Sequence, residues 1–250
     1  MKTVALLCLC FVCLRHVISQ EQQRTKEGCN ISDLPIGHTK YEQFYSLANS
    51  SVEDVYEYLW LKNKDIAINT LEVDFLRQME RGSLQAERYV KFTIQDINYL
   101  LKVTDMLKDM SITVMEPDDL RDFMKSRYSS YKRFADSMLN QYFFKGEPAI
   151  QQTPAMKTYL SFYRELMKGD PLYFAVGLLP CSRLWVWLAN NLNIPPTNAY
   201  YTWMSENRGG HPEKFKALLN KYLNTPEKVV KANNVFRTQM QNEHDFFFTS

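Results

Sequence analysis

Residues Tyr173–Leu192 read YFAVGLLPCSRLWVWLANNL, and this stretch decides the fold. A run so apolar is either a membrane span or the central helix of a helical core. Pro180, Arg183 and Asn190 interrupt it, which favours the buried core helix. Pro180 has no backbone N–H, so the carbonyl of Val176 loses its helical donor. A kink or break is expected beside Cys181.

Outward from this run, apolar residues recur at helical spacing. Strand-like alternation is almost absent, and the chain holds only 8 glycines. Glu87 to Met110 reads as a strong helix, with Phe92, Asp96, Tyr99, Val103 and Met106 on one face. Pro117, Asp118 and Asp119 open another, because proline suits the first turn and acids the positive end. Leu120, Phe123, Tyr131, Phe134, Met138 and Tyr142 continue it until Gly146 and Pro148. A helix over Ala155–Lys168 ends at Gly169-Asp170-Pro171. Shorter helices follow at Tyr200–Glu206 and Pro212–Leu223. Thr225-Pro226-Glu227 caps the last, whose inner face carries Val229, Asn233, Phe236, Met240, Glu243 and Phe247. Near the N-terminus, Ser51 and Asp54 resemble a capping box, followed by a broken stripe of Val55, Leu59 and Ile66. The expectation is all-α: a single multi-helical bundle over residues 50–250.

Residues 1–19 read as a secretory signal peptide: Lys2, an apolar run from Val4 to Leu14, then Val17-Ile18-Ser19 before a cut at Gln20. An N-terminal anchor is the alternative. The expected localisation is therefore extracellular. Residues 20–49 form an irregular arm with sequons at Asn30 and Asn49, the expected glycosylation sites. With 30 basic and 28 acidic residues spread evenly, nucleic acid is not an expected partner, nor is stable membrane insertion. Of the 5 cysteines, Cys29 and Cys181 remain after cleavage. They can bridge, which would silence Cys181 as a nucleophile, or both can remain thiols.

Three polar residues fall on inner faces: Asp96, Glu243 and Cys181. Each alone has a plain structural explanation, since buried cysteines pack as small apolar groups and buried acids pair with Arg or Tyr. Together they are a set of catalytic tools. A buried carboxyl titrates high enough to serve as an acid, and a thiol needs little activation. The mature histidines His38, His211 and His244 lack metal-ligand spacing, so no metal is expected. No phosphate loop, GxSxG elbow or dinucleotide fingerprint occurs, so no cofactor is expected either.

Gln95-Asp96-Ile97-Asn98-Tyr99, Leu178-Leu179-Pro180-Cys181, Tyr200-Tyr201-Thr202-Trp203 and Glu243-His244-Asp245-Phe246-Phe247 follow one another in the order seen in the TenA (thiaminase II) family. The sequence resembles that family from about Glu72 to Phe247. The resemblance implies a haem-oxygenase-like helical fold and an enzyme cleaving thiamin or a related aminopyrimidine, a small-molecule substrate. It assigns Cys181 as the nucleophile attacking the pyrimidine and Glu243 as the proton-handling carboxyl. Asp96 would bind the amino edge, Tyr99 would help hold the site, and Phe246 would wall the pocket. It also implies a homotetramer.

The sequence departs from the family pattern at three pocket tyrosines. Trp185 stands four residues after the cysteine. A second tyrosine aligns at Thr158, with Tyr159 one residue away. A third aligns at Asn207. Trp185 still offers a ring for stacking, while lost hydroxyls alter substrate choice. The expected function is a secreted thiaminase, a hydrolase or a transferase according to whether water or an organic base is the acceptor. A non-catalytic thiamin- or pyrimidine-binding protein, or a toxin-like protein acting through its surface, stands as the alternative. Material secreted from a eukaryotic host is expected to begin at Gln20 and to lose mass on treatment with peptide N-glycosidase, both read by intact mass spectrometry.

Overall fold

The structure, a computed structural model, describes residues 54–144 and 149–250. The signal peptide, the arm with Cys29, Asn30 and Asn49, Ser51, Gly146 and Pro148 lie outside the described residues. Within them the chain is all α-helix: α1 Val55–Lys62, α2 Lys64–Leu71, α3 Asp74–Arg81, α4 Ala86–Thr113, α5 Asp118–Gln141, α6 Pro154–Leu166, α7 Pro171–Asn191, α8 Tyr201–Asn207, α9 Glu213–Tyr222 and α10 Pro226–Phe248.

Helix α7 is the decisive stretch. Asp170 caps it, its carboxylate accepting from Leu172 N at 2.9 Å, and Pro171 occupies the first turn. It packs against α2, α5, α6, α8, α9 and α10, and 78% of its most apolar window is buried. A helix so enclosed is a core helix. The expected break at Pro180 does not occur: α7 runs without interruption from Pro171 to Asn191. Proline removes a single hydrogen bond, whereas Phe174, Val176, Leu178 and Leu184 are each essentially fully buried around that turn and keep the helix continuous.

Helices α4 and α5 make the most extensive pairing, and α10 lies along α7 while also touching α1, α2, α3 and α6. Thr225 caps α10, its hydroxyl accepting from Lys228 N. The segment with the broken stripe resolves into two short helices, α1 and α2, and α3 follows. Asp54 caps α1 by accepting from Glu57 N at 3.1 Å. The fully buried Asn63 then ends α1, its amide donating to Leu59 O and to Asn233 Oδ1 of α10. An asparagine side chain competing for backbone carbonyls breaks a helix in this way. Gly82 ends α3 in the left-handed region, φ 71°, where Ser83 N reaches back to Gln78 O.

Asp170→Ala is expected to cost about 1 kcal/mol of stability, and Asp170→Asn distinctly less. Urea unfolding followed by circular dichroism checks both.

Candidate active site

Helices α7 and α10 run side by side in the same direction, and four-residue steps bring their side chains together in layers. Gly177 faces Gln239, Cys181 hydrogen-bonds Glu243, and the ring of Trp185 lies 5.1 Å from that of Phe247. Helices α4 and α6 close the other sides with Asp96 and Tyr99, and with Tyr159 and Tyr163.

Glu243 is the centre. It is 1% exposed, yet both oxygens are engaged: Tyr159 Oη donates to Oε1, and Trp185 Nε1 donates to Oε2 at 3.0 Å. The Cys181 thiol adds a third hydrogen bond. Burial pushes the Glu243 carboxyl up from 4.5 to about 7, with the charge of Asp96 acting in the same direction. Hydrogen bonds from Tyr159, Trp185 and Cys181 pull it back down. The group is therefore poised between acid and base near neutrality. The phenols of Tyr99, Tyr159 and Tyr163 are held well above their usual range, first by burial, and remain neutral donors.

The structure brings together Cys181, Glu243, Asp96, Tyr99, Tyr159, Trp185 and Phe246, all at 3% exposure or less. The register question at α6 is settled: Tyr159 points inward to Glu243, while Thr158 faces out into a surface cleft of about 480 Å³. Asn207 is also buried, but it sits behind Trp203, donating to that residue's own carbonyl at 2.8 Å. It joins the cluster through the Trp203 ring, 5.9 Å from Trp185. Two members escaped the sequence reading. Tyr163 donates to Gly177 O at 3.0 Å and lies 3.0 Å from Tyr99 Oη. Phe92 was legible only as core, and its ring stacks on Phe246 at 4.9 Å and on Trp185 at 6.0 Å. The spacing Tyr159–Tyr163, one turn apart on one face of α6, was the available signal for the first.

Phe92, Trp185, Phe246 and Phe247 form an aromatic layer on one side of the thiol and carboxyl. A second surface cleft, of about 340 Å³ between α1, α7 and α9, is lined by Trp60, Arg183 and Trp187, not by Cys181 or Glu243. Among the described residues, no three of His, Cys, Asp or Glu gather as a metal-binding group.

Two solved structures share this architecture. A TenA homologue protein from P. horikoshii OT3 superposes with a TM-score of 0.58 at 20% identity, covering 78% of this chain and 96% of its own. A TenA homologue from Pyrococcus furiosus gives a TM-score of 0.64 at 16% identity, covering 77% and 98%. The chain has the TenA fold. No family model matches the sequence, and no curated protein matches it. On this TenA fold, the layered cluster occupies the centre of the bundle, where α4, α6, α7 and α10 meet.

Because folding raises the Glu243 pKa, the folded protein keeps a proton that the unfolded chain releases between about pH 4.5 and about pH 7. The stabilisation is full below the unfolded value, falls through this window and levels off above it. A shift of this size corresponds to about 3 kcal/mol. Glu206, raised to about 7 by burial, adds a slope of the same sign that does not depend on Glu243. Glu243→Gln is therefore expected to reduce the loss of stability between acidic and neutral pH without abolishing it. Urea midpoints measured across that range, wild type against variant, decide this.

Proposed function

We propose that this chain is a secreted thiaminase acting through Cys181 and Glu243. The observation that carries the reading is a carboxyl poised near neutrality in hydrogen-bond contact with a buried thiol, fixed by Tyr159 and Trp185. The sequence resemblance to thiaminase II enzymes and the shared fold support the substrate class.

In this reading the pyrimidine of thiamin enters beside the aromatic layer, with Asp96 accepting from its amino group and Phe246 against its face. Cys181 passes its proton to Glu243 as its sulfur bonds to a ring carbon. The developing thiolate is never exposed to water, and the carboxylate becomes a neutral acid, so no net charge is created in the apolar core. The bond from the methylene carbon to the thiazolium nitrogen then breaks, and its electron pair leaves with the neutral thiazole. Water adds to the methylene carbon and releases a proton to solvent, or an organic base adds through its nitrogen lone pair. The carbon–sulfur bond breaks, and the proton on Glu243 returns to Cys181. Trp185 supplies the N–H that a tyrosine hydroxyl four residues after the cysteine would supply in the family pattern. It also enlarges the stacking surface.

The departures from the family's pocket tyrosines, with Trp185 and Asn207 in their places, support a second reading, a protein that binds a small aromatic without turnover. Purified protein separates the two. Thiamin loss is expected with wild type, none with Cys181→Ala, and a reduction of about 10²- to 10⁴-fold with Glu243→Gln. Thiamin binding without loss, or full activity in Cys181→Ala, overturns the catalytic reading. A thiol count on unfolded, unreduced mature protein is expected to give two. A count of none means Cys29 and Cys181 are bridged and supports the binding reading.

A further inference from the structure

Tyr163 belongs to none of the roles above, yet it links α6, whose Tyr159 holds Glu243, to α7, which carries Cys181. Its hydroxyl donates to Gly177 O at 3.0 Å. Its single proton is spent there, so Tyr99 Oη, 3.0 Å away, must donate to Tyr163 rather than receive from it. Gly177 lies four residues before Cys181, so its carbonyl is also the helical acceptor for the Cys181 backbone N–H. Pro180 has removed the preceding bond, to Val176 O. The Cys181 turn is therefore the first hydrogen-bonded turn after a gap in the ladder, and a side chain from α6 grips it at that bond.

Gly177 permits this approach. A Cβ there would lie 2.7 Å from Leu166 Cδ1 and 3.7 Å from Tyr163 Cε1, so the missing side chain lets α6 close on α7. One turn earlier on the same face of α6, Tyr159 donates to Glu243. Helix α6 thus holds both reaction partners, the carboxyl through Tyr159 and the thiol's backbone turn through Tyr163.

We infer that Tyr163 is a positioning residue, fixing the Cys181 turn through the Gly177 carbonyl so that thiol and Glu243 carboxyl stay in contact. Its hydroxyl bonds a backbone carbonyl and Tyr99, and the groups surrounding the pair are Asp96 and Tyr99 on α4 and Tyr159 and Tyr163 on α6. Its importance for turnover rests on the proposed thiaminase activity; its effect on the pair does not.

The test reads Cys181 itself. Alkylation by iodoacetamide, followed at the Cys181 peptide by mass spectrometry across pH, is expected in wild type to show an inflection near pH 7 from Glu243. In Tyr163→Phe that inflection is expected to shrink by more than half, because the thiol no longer senses the carboxyl. If wild type cleaves thiamin, Tyr163→Phe is expected to lower kcat about 10- to 100-fold with KM little changed. Gly177→Ala should reproduce the alkylation change by pushing α6 away, and adding Leu166→Ala should restore the inflection by giving the methyl room. A folded Tyr163→Phe protein with the wild-type inflection overturns the inference. So does a Gly177→Ala defect that Leu166→Ala leaves unrelieved. An inactive wild type would remove the thiaminase reading alone, since the alkylation profile needs no turnover.

Discussion

Glu243 has to be a carboxyl group in a place without water, and the surrounding structure is arranged to make that tolerable. Taking a carboxylate out of solvent costs several kcal/mol unless donors replace the lost hydration. Here the replacements come from two different helices: Tyr159 from α6, and Trp185 with Cys181 from α7. None of the three lies near Glu243 in sequence, so the group is satisfied only when the bundle is assembled. The compensation is incomplete, since the carboxyl remains raised to about 7. That remaining desolvation leaves the group able to gain or lose a proton near neutrality.

The fold was legible because its signal is repetitive. Each long helix carries an inner face that periodicity exposes, and caps such as Asp170-Pro171 and Thr225-Pro226 mark where helices begin. Short helices carry too few turns for a period to show. The first two helices, which carry Val55, Leu59 and Ile66, were therefore read as one broken stripe, and the buried amide of Asn63 that divides them looks like any surface asparagine in the sequence. At Pro180 the helix continues where a break was one of two expectations. The proline's local cost is real, but it is set against the packing of a helix enclosed on nearly every side.

The site was legible where a polar residue interrupts an apolar face, as at Asp96, Cys181 and Glu243. It was not legible where the functional group is an aromatic among aromatics. Tyr163 and Phe92 carry no pattern that separates them from packing, and only coordinates reveal the Tyr163 hydroxyl aimed at a backbone carbonyl. The one-residue ambiguity between Thr158 and Tyr159 is of the same kind. A helix turns 100° per residue, so a single step decides between the core and a surface cleft. Asn207 is buried as well, with its amide on the carbonyl of Trp203, whose ring lies 5.9 Å from Trp185.

The matched four-residue steps of α7 and α10 have a consequence for how this protein can vary. Gly177 with Gln239, Cys181 with Glu243 and Trp185 with Phe247 form a ruler with equal spacing on both sides. Replacement of an apolar side chain along either helix changes one contact. Insertion or deletion of one residue between Gly177 and Trp185, or between Gln239 and Phe247, rotates every later partner by about 100° and uncouples thiol from carboxyl in one step. Length variation is therefore confined to the connections between helices, and the tolerance of this bundle for indels is a map of where these layered contacts are not.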